Sequence, residues 1–246
     1  MNKLLNKLNT TFNERKNSFY FLGILIIVVI SLVILKKSVW EEPIKAEILT
    51  HIAKTHMKNS NFTFALFGDT IQTFYDIPEE LPGDSIEFLG LKNILENSKL
   101  KNTVAGKSCN YLAGICYYNL ALNESDENIK SEYFSQAISN FDNFKSKNKA
   151  FNSRVKENIG DVFAELNQPE TALDYYKKSL KIINHSSNKN TSSKLFLLKK
   201  AAQMAKLTNN QGLALKYYKE IKKDFSDSRS IKDIDKFINE LSSTEK

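Results

Sequence analysis

The chain has 246 residues, and 35 lysines and arginines against 28 aspartates and glutamates give it a formal net charge of +7. Arginine occurs only at positions 15, 154 and 229, and the lysines are scattered among acids and asparagines. Proteins that bind nucleic acid concentrate cations and aromatic side chains on one face, so this composition argues against a nucleic-acid partner.

The first element is an apolar run near the N-terminus. Phe19–Leu35 reads FYFLGILIIVVISLVIL without one charge, and Lys36 follows it. As a helix, this run would extend over roughly 26 Å, close to the hydrocarbon thickness of a bilayer. We therefore predict a transmembrane anchor over 19–37. A cleaved signal peptide is the main alternative, although no small residues follow the run. A buried core helix is weaker, because no polar residue gives the run a water-facing side.

Positive charges are slightly more frequent before this run than after it, which favours a cytoplasmic stub over 1–18. The remaining segment, 38–246, is then one domain of about 200 residues on the other side of the membrane. Leu4, Leu8 and Phe12 recur at helical spacing beside lysines. The stub is therefore either a helix on the membrane surface or a disordered tail.

The most specific pattern is a pair of helices that contains small residues. Asn158–Leu180 predicts two antiparallel helices joined by a turn that ends at Pro169, a residue tolerated in the first turn of a helix. Gly160 and Ala172 are small enough to let the two helices pack closely, and Tyr176 fills space beside them.

A second copy lies upstream. Tyr111–Leu120 and Tyr133–Phe144 align with the two helices, and 121–131 is predicted to be an insertion between them. The aligned small and aromatic positions are Gly114, Ala137 and Phe141. A third copy lies downstream, where Ala202, Ala214 and Tyr218 take the corresponding positions.

This pattern resembles the tetratricopeptide-repeat family, in which Gly160, Phe163, Leu166, Ala172 and Tyr176 would occupy the family's characteristic positions. The resemblance implies an α-solenoid with repeats near 104–147, 152–184 and 194–226. The offset from Gly160 to Ala202 is 42 residues, against about 34 in the family. The predicted fold class is therefore all-α, a single N-terminal transmembrane helix followed by a tetratricopeptide-repeat solenoid.

The flanks of the repeats are less regular. Ile44–Met57 is a predicted helix, Phe62–Asp69 is an apolar segment, and 78–85 is a predicted loop. Phe88–Leu95 is interpreted as the second helix of a degenerate first repeat. Residues 230–241 are predicted to form a helix that caps the open end of the stack.

No catalytic constellation is recognisable. His51 and His56 fall on different faces of a helix, and His185 lies in a polar segment. Cys109 and Cys116 would lie about 10 Å apart on one helix face, too far for a disulfide, so we expect both to be buried and reduced. The predicted protein is not an enzyme and has no cofactor, no metal and no small-molecule substrate.

Function is then expected in a binding surface. In tetratricopeptide proteins the first helices of successive repeats line a concave groove, and the resemblance implies that proteins or peptides bind there. The implied groove residues are Tyr111, Ile115, Tyr118, Arg154, Glu157, Asp161, Phe196, Lys199 and Gln203. Packing of Tyr111 and Phe196 on neighbouring helices is an equal alternative. Tyr111 and Ile115 stand where some relatives carry a Lys and Asn pair for carboxylate binding.

The architecture also resembles a narrower family, the YfgM-like ancillary subunits of the Sec translocon, in versions from Bacteroidetes-type bacteria. This resemblance rests on three stretches, Tyr111–Tyr118, Ile159–Val162 and Ile221–Ser228. It implies a single-pass protein of the bacterial inner membrane with a periplasmic domain. The implied role is a scaffold that helps protein export, with the translocon, exported clients or periplasmic chaperones as partners. The alternative is an adaptor in envelope assembly or cell division.

Overall fold

The computed structural model describes most of the chain beyond the N-terminal stub. The described residues are 20, 22–36, 41–68, 74–76, 85–184, 192–226, 231 and 233–244. The predicted stub over 1–18, most of the predicted loop over 78–85, and His185 lie outside them.

Residues 22–36 form helix α1, whose apolar side chains are exposed. A helix needs about 20 predominantly apolar residues to cross a bilayer. Within the described residues, no helix has both the length and the apolar character for this. The anchor predicted over 19–37 is therefore wrong, and so is the predicted placement as a single-pass protein of the inner membrane with a periplasmic domain.

The rest of the described chain is helical apart from one two-stranded antiparallel ribbon, in which Tyr75 pairs with Ile86. The elements after α1 are α2 (Glu42–Lys58), α3 (Phe62–Phe67), β1 (Phe74–Asp76), β2 (Ser85–Glu87), α4 (Gly90–Glu96), α5 (Ser98–Lys101), α6 (Val104–Asn123), α7 (Glu127–Asn143), α8 (Lys149–Glu165), α9 (Pro169–Asn184), α10 (Ser192–Leu207), α11 (Gln211–Asp224) and α12 (Ile234–Thr244).

From α6 onward, each helix packs on the next one in sequence. Contact is most extensive between α8 and α9 and between α6 and α7. Helix α10 packs equally on α9 and on α11, α12 packs on α11, and α7 contacts α8 less extensively. Helix hairpins that contact only their sequence neighbours are typical of helical-repeat solenoids.

Glycines allow two of these hairpins to close. A Cβ atom at Gly160 would lie 2.5 Å from Cε1 of Tyr176, and one at Gly114 would lie 2.6 Å from Cδ1 of Phe141. Each aromatic ring therefore lies directly against helix backbone, where no larger residue fits. These two pairs are the ones that the repeat alignment placed in equivalent positions.

Three helix pairs share one turn. Ser60, Asn167 and Asn209 have φ angles of 59°, 55° and 55°, in the left-handed region. In each case the next N–H donates to the carbonyl five residues earlier, at 2.8–2.9 Å, which is the Schellman pattern that ends a helix. The turns join α2 to α3, α8 to α9 and α10 to α11.

The shared turn identifies α2 and α3 as a shortened copy of the hairpin. Ala53 and Ala65 flank Ser60 at the same offsets at which Gly160 and Ala172 flank Asn167, and both alanines are fully buried. The structure therefore gives the role of second helix to α3, and the assignment of this role to 88–95 is wrong.

The insertion predicted over 121–131 is absent as a loop. Helix α6 continues to Asn123, and α7 begins at Glu127. The Asp126 carboxylate accepts from the N–H groups of Asn128 at 2.8 Å and Ile129 at 3.2 Å, which fixes the start of α7. The additional residues lengthen both helices, because the apolar pattern of α6 continues through Ala121.

The core is divided between two clusters. One runs from α2 to α8, the other from α9 to α12, and Phe163 packs against both. Cys109 and Cys116 lie in the first cluster, and both are buried and free, as predicted. Burial raises the pKa of both thiols, that of Cys116 to about 12.

We expect Gly160→Ala to lower the free energy of unfolding by about 1–3 kcal/mol, because the new methyl group overlaps the buried ring of Tyr176. Gly23→Ala is the matched control, since nothing lies within 4 Å of the added Cβ. Urea unfolding followed by circular dichroism measures both. Equal stability of Gly160→Ala and the wild type would contradict the close packing of the Tyr176 ring on Gly160.

The raised thiol pKa predicts a loss of stability in alkaline solution. Between pH 9 and 12 the unfolded chain releases the Cys116 proton while the folded chain retains it, so the folded state binds more protons and stability falls as pH rises. From pH 8 to pH 10 the wild type should lose about 1 kcal/mol more than Cys116→Ala, in urea titrations under reducing conditions. Parallel losses in both proteins would contradict the prediction.

Candidate binding face

Helices α6, α8 and α10 are the first helices of the three long hairpins, and they form one continuous surface, which we call the binding face of α6, α8 and α10. Asn158 on α8 donates to the Tyr111 hydroxyl on α6 at 3.4 Å. Lys200 on α10 donates to Oε1 of Glu157 on α8 at 2.9 Å. These contacts link the side chains of all three helices.

A charge network lies at the centre of this face. The Lys200 ammonium lies 2.9 Å from Glu157 Oε1 and 2.8 Å from Asp161 Oδ2, and so joins two carboxylates on successive turns of α8. Arg154 Nη1 lies 3.2 Å from the other oxygen of Glu157. The Tyr176 hydroxyl donates to Asp161 Oδ1 at 2.7 Å. Two cations therefore balance two carboxylates.

Burial makes this balance necessary. The Glu157 side chain is only 5% exposed, so its carboxylate depends on the two cations rather than on water. Burial opposes the charged form of Lys200, but Asp161 and Glu157 outweigh it and raise the pKa of the ammonium. Burial, together with the Asp161 charge, raises the pKa of Tyr176 far above its usual range, so the phenol stays a hydrogen-bond donor.

Tyr111 packs between helices. Its ring centroid lies 5.9 Å from that of Phe141, 5.5 Å from Phe144 and 6.1 Å from Phe151. Of the two alternatives for Tyr111, packing on neighbouring helices therefore describes it better, although one side of the residue lines a cleft. Phe196 differs, because it is 53% exposed.

Ile115 and Tyr118 on α6 are half-buried and pack against the N-terminal core cluster. The Tyr118 ring lies 6.2 Å from that of Phe134 on α7. Burial raises the pKa of its phenol, and the nearby carboxylates of Asp161 and Glu165 raise it further. Both residues therefore support the core as well as the face.

The remaining predicted residues, Lys199 and Gln203, lie on α10 beside a cleft of about 530 Å³ between α10, α11 and α12. Lys206 and Phe237 also line this cleft, and the Lys206 ammonium lies 5.1 Å from the centre of the Phe237 ring. A cation at this distance from an aromatic face is attracted to it. Helix α12 therefore closes the C-terminal end of the binding face.

A second cleft, of about 380 Å³, lies where α8 begins. We call it the Arg154 cleft. Its lining combines aromatic, aliphatic, polar and charged side chains from α6, from α8 and the residue before it, and from α9 and α10. The lining residues are Tyr111, Asn148, Lys149, Ala150, Phe151, Ser153, Arg154, Glu157, Ile182, Ile183 and Ser193.

The predicted site residues do not include Lys200, Asn158 or Phe151. A signal for Lys200 was present, because it follows Asn158 by 42 residues, the offset that separates Gly160 from Ala202. Asn158 and Lys200 therefore occupy one repeat position, and both reach across to the preceding first helix.

No protein-family model matches the chain, and the comparison with curated proteins found no match. The tetratricopeptide and YfgM-like assignments therefore stay predictions from the residue pattern. Within the ranges that the structure describes, no group of three or more His, Cys, Asp or Glu side chains is arranged to hold a metal ion.

We expect Lys200→Met to lower the free energy of unfolding by about 2 kcal/mol, because Asp161 loses its ion-pair partner and Glu157 keeps only Arg154. Lys178→Met is the matched control. Its exposed ion pair with Asp174, at 3.0 Å, should contribute about 0.5 kcal/mol or less.

Urea unfolding at neutral pH measures both variants. Adding Asp161→Asn to Lys200→Met should restore part of the loss, because it removes the uncompensated charge. Equal losses from the two lysine variants would show that the network is no more than a surface ion pair.

Proposed function

We propose that this chain is a non-enzymatic protein-binding scaffold of the tetratricopeptide type, and that its binding face receives extended segments of partner proteins. Three features support the repeat assignment: the stacked hairpins, the shared turn, and the close packing of an aromatic ring on a glycine in two of the hairpins. The proposed partners are proteins or peptides.

The main support for this proposal is that an arginine and an aromatic side chain are exposed on the binding face, whose helices are linked by the charge network. The side chain of Arg154 is 46% exposed and Phe196 is 53% exposed, on neighbouring first helices. Aromatic residues and arginine are enriched where proteins bind one another. The charge network between these helices holds the surface in one arrangement, which lowers the entropy lost on binding.

We propose protein binding and no more specific cellular role. A helper role in protein export was implied by a resemblance that included a membrane anchor, and the predicted anchor is wrong. An envelope adaptor would use the same binding face, so the test below addresses the property that both roles require.

Peptides selected from a displayed random library on the purified full chain should bind the face of α6, α8 and α10. Phe196→Ala should weaken their binding by about tenfold, because an exposed aromatic anchor is lost. Ile129→Ala on α7 is the matched control, since Ile129 is 40% exposed and lies outside this face. Its affinity should stay unchanged.

Fluorescence anisotropy measures the affinities, and hydrogen exchange locates the bound peptide through slower exchange in α6, α8 and α10. Slower exchange confined to α7, α9 and α11, with unchanged affinity for Phe196→Ala, would overturn the proposed face. A library that yields no binder at all would overturn the proposed function.

A further inference from the structure

The Arg154 cleft has an aromatic and aliphatic wall that is already in place. Phe151 is 48% exposed, yet its ring is held edge-on against Tyr111 at 6.1 Å and Phe144 at 6.2 Å. Ile182 and Ile183 line the same cleft. A volume of about 380 Å³ is within the range of sites that bind small groups. This wall can receive a large apolar side chain without first becoming ordered.

The charge that this cleft presents is positive. Three charged residues line it, namely Lys149, Arg154 and Glu157. Glu157 is buried, and both of its oxygens already pair with cations, Oε1 with Lys200 and Oε2 with Arg154. Arg154 and Lys200 together balance Glu157 and Asp161, so the surplus positive charge at the cleft is that of exposed Lys149, and the partly exposed guanidinium of Arg154 lies on the same cleft.

Arg154 retains donors for a ligand. Its Nη1 contacts Glu157 at 3.2 Å, and its Nη2 donates to Ser193 Oγ at 3.2 Å. A guanidinium carries five N–H donors, and these two contacts use only part of them. Because both contacts also fix the side chain, its remaining donors have a defined position beside the aromatic wall.

We propose that the Arg154 cleft binds an acidic side chain, Asp or Glu, next to a large apolar residue in an extended partner segment. The carboxylate pairs with Arg154 and Lys149, and the apolar side chain packs on Phe151 and the two isoleucines. This inference rests on the proposed function and specifies the partner chemistry at one end of the binding face.

The test uses the full chain and an acetylated, amidated peptide of sequence Gly-Ser-Gly-Leu-Asp-Leu-Gly-Ser-Gly. Two variant peptides replace Asp with Asn, or both Leu residues with Ser. A fourth peptide ends in a free-acid Leu and contains no Asp. Affinities are measured by titration to about 1 mM peptide, with hydrogen exchange to locate the bound peptide.

Arg154→Gln should weaken binding of the Asp peptide by about tenfold and weaken binding of the Asn peptide much less, because only the Asp carboxylate forms an ion pair with the guanidinium. Lys156→Gln is the matched control. It lies on the same helix and pairs with Asp142 at 3.3 Å, but it does not line the cleft. The serine peptide should bind more weakly than the leucine peptide.

Equal binding of the Asp and Asn peptides, or an equal loss in Lys156→Gln, would overturn this inference. Stronger binding of the free-acid peptide would overturn the choice of a side-chain carboxylate. Undetectable binding of the Asp peptide would overturn it as well. None of these results affects the proposed function, which is judged by the library selection and its location on the face.

Discussion

The close approach of α8 and α9 at Gly160 determines how the binding face is built. Only a residue without a Cβ lets the Tyr176 ring lie against the α8 backbone. That position also brings the Tyr176 hydroxyl to 2.7 Å from Asp161, one residue further along α8. Asp161 then presents its other oxygen to Lys200. Tyr176 therefore connects the packing of the α8–α9 hairpin with the charge network on the binding face.

The α6–α7 hairpin has a different pair of residues at the positions of Tyr176 and Asp161. Phe141 occupies the position of Tyr176, and Ile115 the position of Asp161, as the glycine alignment requires. Phe141 has no hydroxyl group, so a carboxylate at position 115 would lack the hydrogen-bond donor that Tyr176 supplies to Asp161. Burying an acid without a partner is costly. The apolar residues at both positions are therefore consistent with each other. The face is accordingly apolar along α6 and charged along α8.

The residue pattern predicted the hairpins from α6 to α11 because small and aromatic residues at fixed offsets reflect steric requirements of helix packing. It missed the copy at α2 and α3, since α3 has only six residues and never reaches the aromatic position. Lys200 was missed because a lysine on a helix is usually solvated, and only the fold brings it to two carboxylates. The predicted anchor was wrong because no helix among the described residues combines the length and the apolar character that a membrane span requires.

The carboxylates of Glu157 and Asp161 are neutralised by cations of the same chain. Glu157 and Asp161 hold their partners within the chain, so they give the surface rigidity and little net charge. Under the proposed function, recognition depends on the exposed parts of Arg154, Phe151 and Phe196. Since a buried ion pair contributes little net stability compared with apolar packing, the network is better explained by the fixed geometry that it imposes on α8 and α10. Under the proposed function, a partner would meet side chains whose positions are already determined, and its affinity would depend on matching them.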